Sequence, residues 1–172
     1  MNLLHAAPAV GFDQPFEMLS ACHERVHRTL GLLQRLADHL ASAGPDRQAR
    51  DAASDVLRYF DLAAPAHHED EERHVLPRLR ALGHAELAER LHADHERMHA
   101  GWQALRLQLL ALRDAGTRPD TQSWPAFIAL YGEHIDLEEG QAFPLSTQAT
   151  DAAERARMGA EMAARRGAST TA

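Results

Sequence analysis

Apolar residues recur at spacings of three and four in one stretch of the chain after another, the period of a helix with one buried face. Between Asp13 and Ala43 the stripe is Val26, Leu30, Leu33, Leu36 and Leu40, and the Gly44-Pro45 pair predicts the stop. A second segment runs from Asp46 to Leu82 and ends at Gly83; Pro65 inside it predicts a kink or short break. A third, from His84 to Ala115, carries Leu87, Leu91, Met98, Trp102, Leu105 and Leu109. A fourth begins near Thr121 or Ser123, with Pro125 suited to a first turn, and is expected to end at Phe143 before Pro144. Asp151 to Arg166 reads as a short fifth helix.

No alternating run rich in Val, Ile and Thr interrupts this pattern, so the fold class predicted is all-α. Four helices joined by short loops make an up-down-up-down four-helix bundle. The expected division is a flexible N-terminus over 1–12, the bundle over 13–146, and a C-terminal helix and tail over 147–172. Phe60, Tyr59, Trp102, Phe127 and Phe143 are expected in the core, and Cys22 as a small core residue.

Charge removes several function classes. At net −7 over 172 residues, with arginines scattered among acids, the chain lacks the basic face that nucleic-acid binding needs. No apolar run approaches a membrane span, and the first residues have no basic start. The single cysteine allows no internal disulfide and suits a reducing compartment, so a cytoplasmic protein is expected.

Histidine changes the picture most. Twelve in 172 residues is roughly three times the usual ~2% share. Two stretches share one pattern: His67 to Glu72 leading to Pro77, and His134 to Glu139 leading to Pro144, both H-x-x-x-E-E-x-x-x-x-P. A His and a Glu four apart share a helix face and can serve one metal centre. The third segment adds His95 and His99, and the first adds His23 and His27. Antiparallel geometry tests whether they meet. From Pro45 it is 22 residues back to His23 and 22 and 26 forward to His67 and Glu71. From Gly83 it is 12 and 16 residues back to that pair and 12 and 16 forward to His95 and His99. From Arg118 the counts are 19 and 23 back, then 16 and 20 forward to His134 and Glu138. At about 1.5 Å per residue, the mismatches amount to a few ångströms. All four helices therefore bring candidate ligands to one level.

Five imidazoles, two carboxylates that each bridge two metals, and an oxo or hydroxo bridge would fill eleven of twelve positions on two octahedral ions, leaving one for a small molecule. Imidazole-rich sites suit iron, copper or zinc. Two choices stay open on the residues alone: His23 or His27, and His67 or His68. Glu72 and Glu139 read as solvated or as supports behind the ligands, and His92 as a rim residue. His5, His39, His74 and His84 read as surface. A rival ferritin-like scheme uses E-x-x-H, which Glu71-His74, Glu89-His92 and Glu96-His99 match. It finds no such motif on the fourth segment and leaves His67, His95 and His134 unexplained.

From His23 to Pro144 the pattern resembles the hemerythrin-like, HHE cation-binding domains of bacterial type. They carry one His on the first helix, H-x-x-x-E on the second, H-x-x-x-H on the third and H-x-x-x-E on the fourth. The resemblance implies His23, His67, Glu71, His95, His99, His134 and Glu138 as metal ligands, with Glu71 and Glu138 bridging two iron ions in an oxo- or hydroxo-bridged non-haem centre. Oxygen-carrying hemerythrins place an Asp at a longer spacing on the fourth helix; Glu138 at plus four is similar to bacterial and F-box relatives.

The function expected is binding of dioxygen, or of nitric oxide or peroxide, for sensing, storage or delivery. The alternatives are a diiron enzyme acting on peroxide or nitric oxide, an iron donor for iron-sulfur repair, and a structural bundle that scavenges zinc. A sensor without a fused output domain would act through a separate protein partner that the sequence does not identify.

Overall fold

The computed structural model describes residues 10–168. Four long helices form the bundle: α1 (Pro15–Ser42), α2 (Arg47–His74), α4 (Ala85–Ala115) and α5 (Trp124–Leu137). Short α3 (Leu76–Ala81) continues α2. A π-helical turn (Glu138–Ala142) joins α5 to α6 (Phe143–Gln148), and α7 (Ala152–Arg165) closes the chain. α1 packs on α2 and α5, and α4 on α2 and α5, which is a closed up-down-up-down ring.

The loops are built as their residues demand. Gly44, Gly83 and Gly116 all take positive φ, where a Cβ would be strained. Asp46 caps α2 by accepting from the Ala49 N–H. Asp151 and Glu154 form a capping box at the start of α7.

Two expected interruptions fall elsewhere. Pro65 lies inside an unbroken α2, and the break comes at Val75, ahead of Pro77. Nor does Pro144 end the fourth helix. The π turn ahead of it shifts the hydrogen-bond register, with the Phe143 N–H donating to the Glu138 carbonyl, and the helix runs on to Gln148. A proline has no N–H for the carbonyl four residues back, so the turn before it is the easiest place for a helix to change register. Both prolines stand six residues after a glutamate of the repeated motif, so both irregularities fall in the stretch from that glutamate to its proline.

Two apolar clusters make the core. One fills the loop-44 end with Leu33, Leu36, Leu40, Val56, Leu109 and Trp124 among others. The other fills the opposite end with Leu19, Leu76, Leu79, Leu91, Phe143 and Met162. Between them lies a layer of buried polar side chains. α7 shields the second cluster and is tied down by Arg165 and Arg166, both paired with the fully buried carboxylate of Asp70. None of the helices is long and apolar enough to cross a membrane among the described residues.

Candidate metal centre

The polar layer is built by continuing each apolar stripe with a ligand-bearing residue. On α1 the inward line is Leu19, His23, Val26; on α2 it is Phe60, Ala64, His67, Glu71. On α4 it is Leu91, His95, Met98, and on the fourth helix Phe127, Tyr131, His134, Glu138. All are buried. Two sets of donor atoms result, each within 4.8 Å: His23, His67, Glu71 and Glu138, and Glu71, His95, His134 and Glu138. The two glutamates are common to both.

The carboxylates divide their oxygens between the sets. Glu71 turns Oε1 to His67 Nε2 at 2.9 Å and His23 Nε2 at 3.8 Å, and Oε2 to His95 Nε2 at 3.4 Å. Glu138 turns Oε2 to His23 Nε2 at 3.1 Å and Oε1 to His134 Nε2 at 3.2 Å. Both oxygens of both glutamates, and His23 Nε2, are buried without a hydrogen-bond partner in the protein. Buried carboxylates left so are costly unless a cation meets them. This nitrogen and oxygen donor set fits a transition metal.

Electrostatics point the same way. Burial alone would lower the basicity of His23, but the carboxylates of Glu138 and Glu71 facing its Nε2 overcome that and push its pKa up to about 9. Against the same burial, His95 is raised to about 9 by Glu71 and Glu72. His67 also stands well above its ordinary value: desolvation is the largest single effect and lowers it, but Glu71, Cys22 and Glu138 together outweigh it. Burial opposes ionisation of Glu71 as well, yet the three histidines hold its carboxyl well below the usual range. The imidazoles thus supply by protonation the positive charge that the buried carboxylates require, and a metal would displace those protons.

Behind the inward histidines stands a ring of supporting groups. With Nε2 turned inward, the Nδ1–H of His23 donates to Glu139 Oε1 at 2.7 Å and that of His95 to Glu72 Oε1 at 3.0 Å. The Glu-Glu pairs therefore divide their labour. The first glutamate of each faces the centre, and the second orients the histidine of a neighbouring helix. From the π turn, Glu138 and Glu139 both reach His23 on α1. His134 Nδ1 faces Asp94 Oδ2 at 3.5 Å. Its counterpart His67 has Cys22 beside it in place of a carboxylate. Cys22 directly precedes His23 as Asp94 precedes His95, so the two halves are related by a pseudo-twofold that this one pair breaks.

Residues 14–146 match the hemerythrin HHE cation-binding domain family. The chain belongs to that family. It is also similar to an uncharacterized protein of Haemophilus influenzae, 33% identical over 169 residues, covering 96% of this chain and 98% of the relative. The HHE family binds metal cations, and the buried His/Glu sets lie inside the matched region.

Six of the seven residues singled out from the sequence meet in this layer. The seventh, His99, does not. It is exposed on α4, with its Nε2 2.8 Å from the Gln103 side-chain amide. The reason is helical phase: Leu91, His95, Met98, Trp102 and Leu105 mark the inward line, and Met98, wholly buried, takes the place next to His99. His23 is buried where His27 is exposed. His68 stands beside the centre, its ring stacked on His95 with centroids 4.3 Å apart. Burial and the neighbouring His95 hold its pKa well below the ordinary value. His92 sits on the rim, 3.5 Å from Glu72. His74 turns to Arg165 and Glu161, away from the centre, so Glu71 and His74 do not face it together as an E-x-x-H pair. His5 lies outside the described residues. Asp94 was missed from the sequence, and its position just before the candidate ligand His95 was the available signal.

Proposed function

We propose that the centre holds two iron ions, one between His23 and His67 and one between His95 and His134, bridged by Glu71 and Glu138. The observation that carries this is the division of each glutamate's oxygens between two histidine pairs. A single ion would gather both oxygens, or one, to itself. Two iron ions held by these residues would supply redox chemistry toward a small oxygen- or nitrogen-containing molecule. The protein's own share is to keep the imidazoles inward, orient them through Glu72, Glu139 and Asp94, and exclude bulk water with an apolar cluster on either side. On this reading the protein binds dioxygen or a related molecule for sensing, storage or delivery. A cytoplasmic setting fits its lone free thiol, Cys22.

Metal analysis after expression in iron-supplemented medium tests the reading. Two irons per chain, with an oxygen-dependent absorption band bleached by reduction, support it; zinc, or no metal, refutes it. Glu138→Ala is expected to lose at least one iron.

One observation favours the enzymatic alternative, turnover of peroxide or nitric oxide. His68 places an imidazole beside the centre that is not in either donor set, and such a group can carry a proton to a bound substrate. Degassing separates the readings: reversible release marks a carrier or sensor, and irreversible consumption marks an enzyme.

A further inference from the structure

The two halves of the centre differ in what covers them. On the α1 side, the His23 ring is stacked on Phe143 with centroids 5.4 Å apart and planes 9° apart, and Glu139 closes the space behind it. A surface cavity there is lined by Glu139 and Phe143 but by none of the six inward donors. On the α4 side, a cavity of about 510 Å³ between α2 and α4 reaches His95 itself. Its walls are Ala64, Met98, Trp102 and Tyr131, and His68 lies against His95 at its inner end. His99, exposed on α4, lies outside the inward donors of this half, which offers the two imidazoles of His95 and His134.

The walls and the mouth differ in character. The walls are apolar or aromatic, with Trp102 spending its indole N–H on Asp61 at 3.1 Å. At the mouth Glu69 is paired with Arg73 at 2.6 Å, but Glu72 and Glu96 have only histidines beside them, with His92 between the two. The rim therefore carries net negative charge over an apolar passage, which repels anions and leaves uncharged molecules unaffected.

We propose that an uncharged small molecule, of the class of dioxygen, nitric oxide or hydrogen peroxide, reaches the centre through this α2/α4 cavity, meets it at the His95–His134 half beside His68, and is selected over anions at the Glu72–Glu96 rim. The proposal rests on the metal-centre reading and adds the side of approach, the contacting residue and the charge preference.

The test uses iron-loaded protein, with iron content measured first, so that failure of the metal reading appears there as missing metal. Nitric oxide is the neutral probe and azide the anionic one, followed by the absorption change on mixing. Ala64→Leu narrows the passage, and His99→Trp fills its mouth from an exposed position. Ala21→Trp blocks the α1-side cavity as a control. The first two should each slow nitric oxide association several-fold with iron unchanged, and Ala21→Trp should not. Glu96→Lys should speed azide association several-fold and leave that of nitric oxide as it was. If Ala64→Leu and His99→Trp both leave the nitric oxide rate unchanged, the proposed route is wrong. If Glu96→Lys leaves azide unchanged, the charge selection is wrong. A readout free of iron chemistry is quenching of Trp102 fluorescence in the wild-type protein, with buried Trp124 as the unquenched background. Acrylamide should quench it well and iodide poorly, and equal quenching would count against the rim.

Discussion

Glu139 Oε1 stands 2.7 Å from His23 Nδ1 across 116 positions of sequence, and this hydrogen bond fixes which ring nitrogen of His23 faces the carboxylates. The same relation holds between Glu72 and His95 at 3.0 Å. Both glutamates are partly exposed, so removing them costs the fold little. Glu139→Ala and Glu72→Ala are therefore expected to weaken metal binding by about 10- to 100-fold, the usual effect of losing a group that orients a histidine ligand. Competition with a chelator of known affinity measures this. A shift in melting temperature with no change in metal affinity would refute the positioning role.

His99 gives the sharpest contrast with the sequence pattern. His99→Ala should leave metal content unchanged and stability within about 0.5 kcal/mol, as for an ordinary surface site. His95→Ala, one turn away, should lose metal. Iron per chain measured for the pair decides it, and loss of metal in His99→Ala would restore that residue to the ligand set.

Proton and metal compete for the same nitrogens, and the sign follows from the shifts. His23 and His95 are raised from 6.5 to about 9, and His67 is raised as well. Their stabilising effect on the metal-stripped protein is full below about pH 6.5 and lost as pH climbs through 9. His68, shifted down, acts oppositely and removes stability as pH falls below 6.5. The stripped protein is thus expected to be most stable near pH 6.5 and to lose stability toward pH 9. The metal-loaded protein should hold its stability over that range, because its imidazoles are already deprotonated. Thermal melts of both forms across the range provide the check.

Gly159 on α7 lies against the backbone of Phe12, and a Cβ there would collide with the Phe12 carbonyl oxygen. In most helix interiors Gly→Ala is favourable. Here it should destabilise by about 1–3 kcal/mol, because the obstacle is backbone and must move as a unit. A lowered denaturation midpoint with metal content intact is the expected result.

The helices, their order and the level of the centre could all be read from the chain, because apolar spacing and loop lengths are local properties that the bundle keeps. His23 over His27 also follows from phase, since His23 continues the stripe through Val26 and Leu30. The same rule places His99 outside, but there the repeated four-residue spacing of the motif hid the phase of Met98. For Glu72 and Glu139 the sequence left two readings, solvated or supporting, without naming the histidine each would face, and for Asp94 it offered none. Each is defined by a residue on another helix, and pairing across helices leaves no periodic trace. The π turn was hidden for a related reason: Pro144 signals trouble for a helix without saying whether the chain will stop or change register.

The polar layer divides the bundle's interior into two oily compartments that do not touch through side chains of their own kind. Cooperative unfolding needs the parts of a domain to sense each other, and here that communication has to pass through the layer. A cation clasping α1, α2, α4 and α5 at mid-height would make one folding unit of the two ends. Stripped of it, the ends should come apart at different denaturant concentrations, so that the metal governs how many steps the molecule takes to unfold as well as how firmly it resists.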